Sequence, residues 1–532
     1  MNSSSPVYLK QNVVWEPLVN RWYAWPYLIP PATAAMYVAN HHLKIMQSFV
    51  RTPQVHVEMV KNPAMMGGPF MNHDPSKVGE VQALLDRTRR EQADLVDLAA
   101  AIKALGEMLA AEATGASLEP LYQKVPPPLR GYVELVYDLE HRPYFRLIEG
   151  LLYASPHYKP ASQQIALSAR DGDDRPFALS TPRLDTSGDL IVDVPFASAA
   201  LDELARARSA PQPLGYLAER LGVLSVEALG RLFTEEAPPP PRPRYAGPGV
   251  RVRYFGHASV LVESRSASVM FDPIVPYKHG AGMARYSFDD LPETIDYVVI
   301  THNHQDHVLL ETLLQLRHRV KNVVVPGSNT GSLADPSLRM LLRTLGFRSV
   351  IGLADLEKVE FEGGSITSLP FLGEHGDLDV HTKAMHLLHI EGRSLLLAAD
   401  SNNIEPALYA RVHDLVGDVE VIFIGMECSG APMSWLYGPL FSKPVLRKND
   451  QTRRLDGSDC AKALGLVDQF SPRQVYVYAM GAEPWLTFIS SIHYTEESRP
   501  IVESSRLVEE CQRRGIRSER LFGCKDIVLE PR

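Results

Sequence analysis

The segment Thr301-His302-Asn303-His304-Gln305-Asp306-His307 follows directly on the apolar run Tyr297–Ile300. A short β-branched run of this kind reads as a buried strand, so three histidines and an aspartate stand together at a strand end. A tight turn there can aim His302 and His304 at one point, and Asp306 and His307 at a neighbouring one. One loop can then serve two metal ions. Imidazole suits Zn, Fe, Cu or Ni, and a carboxylate adds hard oxygen. One or two strand-end histidines would be ordinary solvated loop residues, whereas four coordinating groups at H-x-H-x-D-H spacing argue for metal. The heptad does not name which.

Placing that turn in a fold requires the domain plan. A chain of 532 residues exceeds the size at which one core keeps growing. The tract EEAPPPPRPRYAGPGV, residues 235–250, carries four consecutive prolines, cannot continue a helix and favours extended chain. We therefore expect a mixed α/β domain over 1–236 for assembly and site cover, a linker over 237–249, and a catalytic domain over 250–532.

In the first part, residues 31–50 and 77–113 show helical three- and four-residue apolar spacing, and residues 142–154 and 189–197 read as β-rich. His41 and His42 have no carboxylates beside them and read as ordinary residues. After the tract come alternating strands with interspersed helices (308–319, 336–346), many strands ending in polar clusters. That pattern predicts a layered α/β architecture with its site along one edge. Besides the heptad, the strand ends hold Glu374 and His375 in GEHGD, Asp400 in LAAD, Glu427 in GMECSG, Glu483 in GAEP, and His493.

Fifty-four basic against 63 acidic residues, net −9, speak against a nucleic-acid partner. No run approaches the roughly 18 apolar residues of a membrane span, and the first twenty residues lack a signal-peptide pattern; a cytoplasmic protein is expected. Cys428, Cys460, Cys511 and Cys524 are far apart with no C-x-x-C, which points to buried thiols rather than a disulfide framework or a sulfur-ligated zinc site.

From residue 250 to about 530 the chain resembles the metallo-β-lactamase superfamily, through GHASVLVES, FDP with Asp272, the full heptad and the LAAD aspartate. The resemblance implies an αββα sandwich and a dinuclear site bridged by Asp400. That superfamily places a histidine as third ligand of the first metal, and here either His375 or Glu374 stands in that place. Neighbours on extended chain face opposite ways, so only one would bind. A glutamate would make a mixed carboxylate site of the kind non-haem diiron proteins use; a histidine would favour the rival reading, a dinuclear zinc hydrolase. A metal-bound scaffold without catalysis is a further rival, disfavoured by the intact ligand set.

Together with the proline-linked N-terminal domain, this resembles the diiron β-hydroxylases of nonribosomal peptide antibiotic pathways. The resemblance implies two Fe ions, dioxygen as co-substrate and an external electron donor. It implies an aromatic amino acid, L-p-aminophenylalanine in a chloramphenicol-type pathway, held as a thioester on a carrier (thiolation) domain of a peptide synthetase. It gives His302, His304 and Glu374 to one iron, with oxygenation resting on Glu374. Asp306 and His307 go to the other iron, Asp400 to the bridge, and His493 completes the second site. A homodimer through the N-terminal domain is also implied. Glu427 and Glu483 read as outer-sphere or structural groups. The basic run SKPVLRKNDQTRR, with Lys443, Arg447, Lys448, Arg453 and Arg454, reads as a carrier-docking rim or a plain solvated loop.

Overall fold

The computed structural model describes residues 6–62, 65–185, 188–280 and 282–531. Two seven-stranded sheets form the centre of the C-terminal part. The first runs, in spatial order, Val350–Leu353, Val320–Pro326, Ile295–Val299, Ser268–Phe271, Ser259–Glu263, Val250–Gly256 and Lys525–Leu529. The second runs Lys358–Phe361, Gly364–Leu369, Met385–Ile390, Arg393–Leu397, Val421–Gly425, Gln474–Tyr478 and Arg517–Arg520. Val260, Val262, Phe271 and Val299 of the first sheet pack with Leu388, Leu397, Phe423 and Tyr478 of the second. Helices Leu310–Leu316 and Leu338–Thr344 cover the outer face of the first sheet, and Pro406–Val416, Cys460–Phe470 and Arg499–Arg513 that of the second. The result is the expected αββα sandwich.

Strands buried on both faces need apolar residues at consecutive positions rather than alternation. Val421–Gly425, buried throughout, is built that way. Parallel pairing of Ser268–Phe271, Ile295–Val299 and Val320–Pro326 brings their C-terminal ends to one edge. That edge holds the heptad.

The N-terminal part is mixed. Its four-stranded antiparallel sheet, Trp22–Tyr23, Val13–Val19, Gln163–Ala169 and Leu190–Asp193, packs Val13, Trp15, Ile165 and Leu167 into one core with Leu310, Leu313 and Leu314 of the catalytic sandwich. Helices Val78–Glu91 and Ala93–Glu112 form most of the 77–113 segment. The 31–50 segment is helical with a π turn at Val38–His42, where His42 stacks on Trp22 at 4.0 Å between ring centroids. The β-rich reading of 142–154 holds only for Pro143–Leu147. Glu149–Tyr153 is a helix, anchored because the buried Glu149 carboxylate accepts the backbone N–H groups of Gly331 (3.0 Å) and Ser337 (2.9 Å). Between Thr234 and Val250 no helix or strand occurs among the described residues; Arg242 and Arg244 pair there with Asp290 and Asp296 of the sandwich. No helix among the described residues is long and apolar enough to cross a membrane.

Candidate metal centre

Each heptad histidine has one ring nitrogen engaged outward and the other turned inward. His302 Nδ1 lies 3.1 Å from Thr301 Oγ1, His304 Nε2 lies 3.0 Å from the Tyr437 hydroxyl, and His307 Nδ1 lies 2.8 Å from Asp272 Oδ2. Asp272 is itself held by the Thr301 backbone N–H at 2.8 Å. Outer partners of this kind set the tautomer and ring orientation of a metal-binding histidine. The inward nitrogens converge on two carboxylates. His304 Nδ1 is 2.9 Å from Glu374 Oε1; His302 Nε2 is 3.5 Å from Glu374 Oε2 and 3.8 Å from Asp400 Oδ2; His307 Nε2 is 3.0 Å from Asp400 Oδ2.

His302 Nε2, Glu374 Oε2 and Asp400 Oδ1 are buried without a hydrogen-bond partner. Native interiors rarely tolerate such atoms, and three at one point are the mark of a cation site. Among the described residues, three triads have ligand atoms within 4.8 Å of one another: His302, His304 and Glu374; His302, His307 and Asp400; His257, Asp306 and His307. Nitrogen and oxygen donors with no sulfur fit iron, and two adjoining triads sharing His302 beside Asp400 have room for a pair of ions.

His257 is the residue that the sequence reading passed over, although it stands in the GHAS turn. Its Nδ1 accepts the Gly481 backbone N–H at 3.0 Å. With Nδ1 accepting, Nε2 is the nitrogen left to donate, and it faces Asp306 Oδ2 at 3.4 Å. His257 orients Asp306 and has no lone pair left for a metal.

Electrostatics follow from burial. It pushes the Glu374 carboxyl up to about 7, against the lowering influence of His304, with the Asp400 and Asp306 charges adding to the rise. Burial also raises Asp306, but His257, His307 and His304 outweigh it and hold that carboxylate below its usual range. His307 is raised despite burial by Asp400 and Asp272.

The strand ends are strained. His257, Asp272, Glu374, Ala399 and Ala479 all have left-handed φ, between 37° and 68°, a conformation that non-glycine residues keep where surroundings impose it. Two glycines make the close approaches possible. A Cβ on Gly425 would meet Asp400 Oδ1 at 2.3 Å, and one on Gly373 (φ 87°) would meet Asn402 Cβ at 2.4 Å.

His375 packs against His304 with centroids 4.6 Å apart, its Nδ1 3.3 Å from Gly373 O. Its Nε2 has no partner, and it joins none of the triads. His493 is not brought to the cluster, contrary to the sequence expectation. The helix Thr487–Ser490 ends on a left-handed Ser491; Ile492 then lines the metal cavity, while His493 is exposed and lines a separate cavity of about 210 Å³. Glu483 is buried, accepting hydrogen bonds from the Tyr254 hydroxyl (2.5 Å) and the Gly523 N–H (3.4 Å), a structural arrangement. Glu427 does line the metal cavity; burial raises its carboxyl to about 8, and the Tyr494 hydroxyl donates to it.

The cavity in front of the cluster measures about 270 Å³. Trp435, Leu436, Leu455 and Ile492 give it apolar walls, and Met66 and Gly67 of the N-terminal part complete it. Trp435 Nε1 donates to Gly67 O at 2.8 Å, closing that corner.

Residues 8–238 match the family described as the diiron non-heme beta-hydroxylase N-terminal domain, and residues 251–394 the beta-lactamase superfamily domain. The 4-amino-L-phenylalanyl-[CmlP-peptidyl-carrier-protein] 3-hydroxylase of Streptomyces venezuelae is 41% identical over 523 residues, 96% of this chain and 98% of that protein. The crystal structure of CmlA, a diiron beta-hydroxylase from the same organism, superposes with a TM-score of 0.93 at 39% identity, over 99% of this chain and 100% of that one. A single-residue mutant of CmlA gives 0.90 at 38%, over 98% and 100%. Similarity this high through both parts of the chain, meeting at a pocket of imidazoles and carboxylates, places the protein in the non-haem diiron β-hydroxylase family, with a catalytic domain of metallo-β-lactamase fold.

Proposed function

We propose that this enzyme hydroxylates the β-carbon of an aromatic amino acid, p-aminophenylalanine, held as a thioester on a carrier domain of a nonribosomal peptide synthetase in a chloramphenicol-type pathway. The observation that carries the reading is the convergence of three imidazole nitrogens on Glu374 and Asp400, in a chain so similar to a carrier-protein-dependent hydroxylase. His302, His304 and Glu374 would hold one iron and Asp306 and His307 the other, with Asp400, which faces both His302 and His307, within reach of either.

An iron pair bound there would supply dioxygen activation: with two electrons from an external donor and two protons, one oxygen atom would enter the Cβ–H bond and the other would leave as water. The chain's own residues do the rest. Asp272 accepts a hydrogen bond from the His307 Nδ1–H, which leaves Nε2 as the nitrogen that would coordinate. Glu374 puts a hard oxygen where the zinc hydrolases of this fold have a third imidazole, which weights the site toward iron. Trp435, Leu436 and Leu455 offer an aromatic side chain apolar surface and keep water from the reacting carbon. The hydrolase reading needs His375 in the place of Glu374, and His375 joins none of the triads, whereas Glu374 does.

We place the reaction in the cytoplasm, consistent with four unpaired cysteines. Protein purified from iron-replete medium is expected to hold two irons per chain and to hydroxylate the carrier-bound substrate. Colourless, zinc-loaded protein that hydrolyses thioesters would overturn the reading.

A homodimer through the N-terminal domain is part of the proposal. The hairpin Val133–Tyr137/Pro143–Leu147 and the helix after it expose Leu139, Tyr144, Ile148 and Leu151, large apolar groups that a second copy would cover. The variant Tyr144→Asp/Leu151→Asp is expected to sediment as a monomer where the parent runs as a dimer; an unchanged dimer would put the contact elsewhere.

A further inference from the structure

Between the strand Val421–Gly425 and the helix Cys460–Phe470 the chain makes a long excursion whose two ends wall the metal cavity. Pro432, Trp435 and Leu436 do so on the way out, Leu455 and Gly457 on the return. The excursion is stitched across its base by a backbone bridge between Pro432 and Arg454. Its outer turn is the short helix Arg447–Asp450, and Asp450 accepts from the Ser434 backbone N–H (3.0 Å) and hydroxyl (2.6 Å). The outer turn is thus tied to the residue next to Trp435.

Lys443, Arg447 and Lys448 are exposed at this tip. Their side chains take part in none of the hydrogen bonds or ion pairs found among the described residues. Leu446, between them, is 64% exposed. The other two cations of the basic run are engaged elsewhere: Arg453 donates to Gly376 O at 2.8 Å, and Arg454 lies 3.8 Å from Asp456. A net charge of −9 makes three uncompensated cations around an exposed leucine a local reversal of the field.

We propose that this tip is the docking surface for the carrier domain, which meets it with an acidic face around its phosphopantetheine-bearing serine and an apolar side chain over Leu446. The proposal rests on the reading of the enzyme as one that acts on a carrier-bound aminoacyl thioester. Distance agrees with it. Arg447 and Lys448 lie within a helical turn, about 5.4 Å of rise, of Asp450, which is hydrogen-bonded to Ser434, the neighbour of the cavity-lining Trp435. A phosphopantetheine arm has the reach of about six extended residues, roughly 20 Å. Opposite charges on the two faces would steer encounter, and the leucine contact would slow release.

The test is a binding measurement with a carrier domain loaded with p-aminophenylalanine. In the variant Lys443→Glu/Arg447→Glu/Lys448→Glu the association rate is expected to fall about ten- to a hundredfold at low salt and to approach the parent's rate at high salt. Iron content and turnover of a free pantetheine thioester should stay at parental values. Leu446→Ser should raise the dissociation rate instead. An unchanged association rate at low salt would overturn the proposal, as would conversion of a dimer to monomers by charge reversal, which would assign the face to a second copy. Because binding is read apart from chemistry, salt-sensitive docking without hydroxylation would sink the proposed reaction and leave the surface standing.

Discussion

Glu374→Ala is expected to abolish hydroxylation, with a fall of more than about a hundredfold, beyond what loss of an outer-sphere partner of a metal ligand costs. Iron content should drop with it, while the fold survives. The carboxylate faces His304 Nδ1 at 2.9 Å and His302 Nε2 at 3.5 Å, so its removal leaves two imidazoles without the oxygen that completes their triad. Glu374→His should bind zinc in preference to iron, because a third imidazole softens the site. His375→Ala is the control, expected to keep its iron, since that ring joins no triad. Iron analysis and single-turnover hydroxylation read all three. Full activity in Glu374→Ala with a dead His375→Ala would reverse the assignment.

Arg175→Ala is expected to lower the unfolding free energy by about 3–5 kcal/mol, the range for removing one member of a buried ion cluster. Arg175 Nη2 lies 2.7 Å from Glu16 Oε1 and 2.8 Å from Glu311 Oε2, with its side chain 1% exposed. Tyr23 OH donates to Glu311 at 3.1 Å, and Arg183 binds the far side of Glu16. Glu16 keeps Arg183 when Arg175 is lost, whereas Glu311 loses the guanidinium that pairs with it and burial drives it further toward the neutral form. Glu311 opens the helix that follows the heptad, four residues after His307. Loosening it should therefore reduce iron retention as well as stability. Arg175→Met/Glu311→Leu removes both charges and is expected to regain most of the loss. An unfolding free energy within about 1 kcal/mol of the parent for Arg175→Ala would mean that the N-terminal sheet is held to the sandwich by apolar packing alone.

Much of the site was legible because its information is local. Seven residues after a strand contain four of the candidate ligands, and a parallel strand end must turn there whatever the rest of the chain does. Asp400 was legible for the same reason, as a polar residue closing an apolar run. The choice between Glu374 and His375 was not. Strand-like alternation was the premise for separating them, but Gly373 and Glu374 both adopt left-handed φ, so the segment is a turn whose side-chain directions come from its neighbours. His493 failed in the same way, since a left-handed Ser491 decides which of two adjacent residues meets the cavity.

Residue order alone determined the αββα class and supplied the expectations of a break at the proline tract and of a metal site at the heptad, because periodicity, proline geometry and ligand spacing act within a few residues. Only the tertiary structure decided that His257 supports Asp306, that Gly425 makes room for the Asp400 carboxylate, and that Met66 and Gly67 of the N-terminal part wall the metal cavity. Those contacts join residues far apart in the chain. They follow from how two sheets and a second domain pack, and the pairing of distant surfaces leaves no periodic mark in the sequence.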